Sequence, residues 1–225
     1  MLLYQAYFAN QGMENCCWLY APALAQCSMP FQIDFDNQVD YFVDALKQEG
    51  HAALTITGWR TNGITPGSNV LREMGLKKIG ELDDYVVDGY GAPDLTETYW
   101  KLHDLLMAEG PFVLQYPSLG SGHVHQTAIT GLIYGKEGAR DPDDVFLITP
   151  HTQCVKLTVL PVVDLVQHSV ARNVPVEIFR VPNRFGKPLR PDIGTVYNGP
   201  GTAKFHKESI VLARSPSLSN LFSFF

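Results

Sequence analysis

The chain is short of positive charge, of cysteine and of long apolar runs, and each shortage excludes something. Of its 225 residues, 17 are Lys or Arg and 23 are Asp or Glu, a formal net charge of −6. The basic residues are scattered, with Lys77-Lys78 as the single adjacent pair. A nucleic-acid backbone needs a clustered basic surface, so no nucleic-acid partner is expected. The four cysteines, Cys16, Cys17, Cys27 and Cys154, are too few for a disulfide scaffold. They form no CxxC pair and have no zinc-finger His spacing, so reduced thiols are expected and no metal site. The opening Met-Leu-Leu-Tyr-Gln-Ala-Tyr-Phe has neither a basic n-region nor a long apolar h-region, so no secretory signal is expected. No apolar run reaches the roughly 18–20 residues of a membrane span. The expected location is the cytoplasm, or outside the cell by a secretion system that reads no such signal. There is no internal repeat. The loop from Pro117 to Gly122 carries no phosphate-binding fingerprint, and Asp83-Asp84 and Asp143-Asp144 read as solvated acid pairs. No cofactor is expected.

What is present suits a folded domain: 45% of residues are hydrophobic and 18% charged. Residues 1–10 alternate loosely and predict a short strand. From Cys17 the run through Ala25 predicts a buried helix, with Asn15 as N-cap and Pro22 inside the pattern. Pro22 is tolerated in a first turn and kinks a helix further in. Helical spacing predicts a helix over 34–48, a short one over 68–74, and the clearest over 94–109, closed by Gly110. Residues 58–69 read as a loop, and 80–93 as irregular with a short strand at 85–87. Then the period changes: 111–116, 126–134, 145–148 and 155–160 predict strands, with a polar turn over 135–144. A helix or an irregular segment over 162–170 and a strand over 176–181 follow. Helices first and antiparallel strands after them define an α+β domain, its N-terminal helical part packed on a C-terminal antiparallel sheet. That domain is expected to span 1–181. Residues 182–225 form a loop-rich extension that packs on it or is partly disordered.

The chemistry gathers at Gln11 to Trp18 and at Gly120 to Gly131. Gln11 precedes Cys17 by six positions, and Trp18 follows the cysteine at once. A thiol attacks only as the thiolate, and a helix N-terminus favours that anion, so Cys17 fits a nucleophile better than Cys16 on the loop side. His125 stands at the mouth of a strand behind a glycine-rich loop, where a base can face a nucleophile. His123 lies two residues away, on the same side of an extended chain, so alternation alone leaves both open.

With these residues the chain resembles the papain-like cysteine peptidases, closest to the compact bacterial branch of plant-pathogen effector peptidases and bacteriocin-processing domains. That family carries a Gln and, six positions on, a Cys-Trp pair, matched by Gln11, Cys17 and Trp18. It carries a His followed six positions later by Gly, matched by His125 and Gly131, which favours His125 over His123. A helix ending in Glu109-Gly110-Pro111 before a Val-containing strand is also similar, and the resemblance covers roughly residues 5 to 150. It implies a papain-like fold and a peptide or isopeptide bond as target, in a protein or peptide substrate. Cys17 attacks the acyl carbon and His125 takes and returns the proton. The Gln11 side-chain amide and the Cys17 backbone N–H hold the oxyanion. The family's third residue, Asn or Asp before Pro, is replaced by Thr149 before Pro150. A hairpin turning near residue 137 pairs 125 with 149, so the Thr149 hydroxyl is expected beside His125, as an uncharged orienting group. Asp141, Asp143 and Asp144 are expected at the far end of that hairpin, and Gln153 or a water is an alternative to Thr149.

Cys17 lies so near the start of the sequence that no inhibitory propeptide is expected. Restraint of an effector or toxin of this kind would come from a separate inhibitor, immunity or activating protein. The same Cys-His pair also suits a cell-wall amidase, a deamidase or an acyltransferase. The rival from another class is a binding module that keeps the fold without turnover, and Thr149 favours it.

Overall fold

The computed structural model describes residues 2–4, 16–28, 35–51, 68–117, 124–134, 144–150 and 157–183. Gln11, Asn15, His123, Asp141, Asp143, Gln153, Cys154 and residues 184–225 lie outside the described residues.

Helix α1 (Cys17–Cys27) is apolar all round, and every residue from Trp18 on is buried. A helix of that kind belongs in a core rather than on a surface. Pro22 lies inside it, past the first turn. Helix α2 (Phe35–Leu46) is amphipathic and buries Val39, Phe42, Val43 and Leu46, and a single π-type turn, Lys47–His51, follows. The short α3 (Ser68–Glu73) ends near Gly75, whose φ of 85° suits a residue without Cβ.

Strand β1 (Leu2–Leu3) pairs with β5 (Gly131–Tyr134), which pairs with β6 (Val145–Pro150), which pairs with β7 (Leu157–Pro161). The second sheet runs β2 (Lys77–Glu81), β8 (Glu177–Arg180), β3 (Phe112–Pro117), β4 (Val124–Ile129). Every pairing is antiparallel. The fold is therefore α+β with its first helices ahead of most strands, and the described residues form two four-stranded sheets where the sequence predicts one.

The predicted strand over 126–134 is cut at Thr130, where the chain leaves one sheet for the other. Thr130 donates its N–H to Ile148 at 2.9 Å, and its carbonyl accepts the Tyr4 N–H at 2.7 Å. The residue pattern shows no such switch, because buried residues continue from one strand into the next. The predicted strand over 85–87 is absent: a 3₁₀ turn, Leu82–Tyr85, takes in its first residue. β2 was not foreseen, since Lys-Lys-Ile-Gly-Glu has the polarity of an edge strand.

Helices α4 (Leu95–Glu109) and α5 (Val162–Arg172) are the remaining helices among the described residues. Asp94 caps α4 by accepting the Glu97 N–H at 3.0 Å, and Gly110 closes it at φ 76°. Sheet β2-β8-β3-β4 is a partition. Val113, Ala128 and Phe179 point to a core with α1, α2 and α3. Phe112, Leu114, Ile129 and Ile178, the alternate residues, point to a second core with α4, α5 and the other sheet. Tyr4 fastens that second core: its hydroxyl donates to the Leu106 carbonyl at 2.7 Å, and burial pushes its pKa to about 12.

Candidate functional site

Cys17 is the first residue of α1, preceded by Cys16 in the cap position. The Cys16 carbonyl accepts the N–H groups of Leu19 and Tyr20, so the first turn closes behind the thiol. Cys17 is partly exposed, while Cys16 and Cys27 are buried. The end of the helix favours a thiolate, as do the nearby backbone N–H groups of Gln126, Trp18 and Cys17. Burial of the sulfur outweighs them and pushes the thiol pKa up.

The partner of the thiol is an unforeseen residue. Cys17 Sγ donates to Gln126 Oε1 at 3.0 Å. Gln126 Nε2 donates to Gln115 Oε1 at 2.8 Å, and Gln115 Nε2 donates to Glu177 Oε2 at 2.7 Å. The other carboxylate oxygen accepts Lys78 Nζ at 2.8 Å, and Lys78 also meets Glu81 at 2.7 Å. A hydrogen-bonded row thus runs from a helix N-terminus across β4, β3 and β8 to the edge strand β2. A faint signal for it exists in the sequence. Gln115, Gln126 and Glu177 are the polar residues at core-facing positions of strands whose other residues on that face include Val113, Ala128 and Phe179.

His125 lies next to Gln126 on β4, the strand α1 packs against, and so on the opposite face of the pleat. Its ring stands edge-on to Tyr116, its cross-strand partner, with centroids 5.4 Å apart and planes at 77°. Cys17 and His125 are therefore neighbours in the fold, but the pleat directs them to different sides of one strand.

Thr149 is buried, and its hydroxyl meets the hydroxyl of Thr127, two residues from His125 on the same face. It also reaches the Pro150 carbonyl at 3.3 Å. The expected pairing of 125 with 149 is corrected by the register. Gly131 faces Ile148 and Tyr134 faces Val145, so the hairpin is centred beyond residue 137, and Thr149 faces Thr158 on β7. The switch at Thr130 explains the difference, since His125 and Thr149 belong to different sheets.

Asp144 is not a solvated acid. It is buried and accepts the Val145 N–H at 2.7 Å and the Val163 N–H at 3.4 Å, tying β6 to the start of α5. Among the described residues, no group of three or more His, Cys, Asp or Glu side chains could hold a metal ion. No helix of the described residues is long and apolar enough to cross a membrane. A groove of about 410 Å³ lined by Gly75, Lys77, Ala108, Glu109, Arg180 and Pro182 contains none of the candidate residues. No protein-family model and no curated protein matches the chain.

Proposed function

We propose that the chain is a papain-like thiol hydrolase that cleaves a peptide or isopeptide bond in a protein or peptide substrate, with Cys17 as nucleophile. The supporting observation is the setting of Cys17: a partly exposed thiol heading a buried helix packed on β4, the strand of His125, while Cys16 and Cys27 are buried. The Cys17 thiolate adds to the acyl carbon and the C–N bond breaks. His125 passes the thiol proton to the leaving amine. Water then hydrolyses the thioester, giving its proton to His125 and returning the thiol. Gln11 and the Cys17 N–H are assigned to the oxyanion. Turnover by this pair requires the His125 imidazole to leave Tyr116 and come round the mouth of β4 to the sulfur. Thr149, bonded to Thr127 in the resting arrangement, is assigned to the support of that strand and of His125 on it.

A second function, a binding module without turnover, is favoured by the raised pKa of the Cys17 thiol and by the face on which His125 lies. A proteome-wide cleavage screen comparing wild type with Cys17→Ala separates the two. New termini or released isopeptide-linked chains that vanish in Cys17→Ala and His125→Ala, but persist in Cys16→Ala, support the hydrolase. Identical product sets for wild type and Cys17→Ala refute it. Loss of cleavage in Cys16→Ala alone refutes the choice of nucleophile.

A further inference from the structure

Three neighbouring strands each deliver one polar side chain to the face that α1 covers. Gln115 is the cross-strand partner of both Gln126 and Glu177. All three are almost fully buried, with relative exposures of 4%, 0% and 8%. In such a row the direction of every hydrogen bond is set at one end. A carboxylate only accepts. Glu177 therefore requires the Nε2 of Gln115, which turns the Gln115 oxygen toward Gln126. Gln126 must answer with its own Nε2, and this leaves its oxygen for Cys17. A group bonded to that oxygen has to be a donor, and a thiolate is not one.

We infer that Glu177 is a positioning residue which, through the amides of Gln115 and Gln126, keeps the proton on the Cys17 thiol in the resting protein. Lys78 holds the outer carboxylate oxygen and so fixes which oxygen faces inward. The ionisable neighbours of the row are Lys78 and Glu81 on β2 and Tyr116 on β3. The Tyr116 pKa is raised by burial. His125 lies on the far face of β4. The consequence for the molecule is a nucleophile guarded against alkylation and oxidation until Gln126 is turned or displaced. That consequence for turnover rests on the proposed hydrolase, whereas the proton's location does not.

Glu177→Gln tests this with almost no change of shape. Lys78 is a donor, so the new amide keeps its oxygen toward Lys78 and presents Nε2 to Gln115. Two donors then face one another, and the row is relieved by reversal: Gln115 and then Gln126 turn over, and an N–H points at the sulfur. The readout is the pH profile of iodoacetamide alkylation of Cys17 in the full chain, followed by mass spectrometry. The expected midpoint falls by about one pH unit, equivalent to roughly tenfold faster labelling below it. Loss of a negative charge lowers the midpoint through space as well, so the substitution is repeated in a Gln126→Met background. There most of the shift is expected to disappear. An unchanged midpoint, or the same shift in both backgrounds, overturns the inference. If Glu177→Gln does not fold, Gln115→Met cuts the row while keeping the charge. A lowered midpoint then supports the relay, and a midpoint at or above wild type overturns it. Alkylation needs no turnover, so failure here is separable from failure of the hydrolase reading, which the Cys17→Ala cleavage screen decides.

Discussion

Removing the Lys78 ammonium is expected to cost the fold about 2 kcal/mol, and the cost can be assigned to one of its two ion pairs. Lys78→Met keeps most of the aliphatic stem and deletes only the charge. The pair with Glu81 joins side chains 27% and 40% exposed, so it lies in the range of about 0–1 kcal/mol for surface pairs. The pair with Glu177 is different, because that carboxylate is only 11% exposed. A hydrogen bond to such a charged group contributes roughly 1.5–3 kcal/mol, and its loss leaves a buried anion with one fewer donor. For a domain of this size, about 2 kcal/mol lowers Tm by roughly 4–8 °C. Thermal and urea melts of wild type, Lys78→Met and Glu81→Gln measure both pairs. Glu81→Gln is expected to lose less than half as much as Lys78→Met. The pH dependence adds a sign. The Lys78 pKa is raised, first by its bond to Glu177 and then by Glu81. Its contribution is therefore complete below the ordinary lysine value of about 10.4 and fades as pH rises through the higher folded value. The gap between wild type and Lys78→Met should narrow at strongly alkaline pH. A loss below about 0.5 kcal/mol, or an equal loss in Glu81→Gln, refutes the claim that Glu177 is held as a buried anion by Lys78.

Two further outcomes concern the opposite core and the strand that carries His125. Thr149→Val takes the partner from the buried Thr127 hydroxyl, and Thr127→Val leaves the Thr149 hydroxyl with its longer contact to the Pro150 carbonyl; each should cost about 1–3 kcal/mol, while the double variant costs less than the sum; additive urea midpoints would show that the hydroxyls do not interact. His168 has a pKa lowered by burial first and by Arg172 second, and its Nε2 is buried with no hydrogen-bond partner among the described residues. The unfolded chain takes up a proton there before the folded one does, so stability should fall as pH drops below about 6.5. His168→Gln should flatten that slope between pH 6.5 and 5 in a series of urea titrations, and an unchanged slope would exclude His168 as its source.

The parts that were legible in the sequence are those set by neighbours a few residues apart. Helix α4 was visible because its cap Asp94, its apolar stripe and Gly110 all lie within seventeen consecutive positions. The placing of Cys17 at the start of α1 was visible for the same reason, although the cap position is Cys16 rather than Asn15. What escaped depends on register between distant strands. The switch at Thr130 moves Thr149 into another sheet from His125, and no local pattern announces it. Glutamines at core-facing positions of apolar strands were present in plain sight at 115 and 126. Their significance emerges only when Glu177 is brought beside them, 62 positions from Gln115. Alternation could not separate His123 from His125, yet on β4 it decides which face His125 takes, and that is the face away from Gln126.

The long reach of these contacts also sets when the site can exist during folding. Cys17 meets Gln126 across 109 positions, and Tyr4 meets Leu106 across 102. A chain emerging from the ribosome cannot form the thiol's surroundings until β4 and β8 have both been made. Contacts of such sequence separation form slowly, because loop-closure entropy precedes their reward. Helix α1, whose residues from Trp18 on are all buried in the folded protein, therefore waits without its sheet until those strands are made.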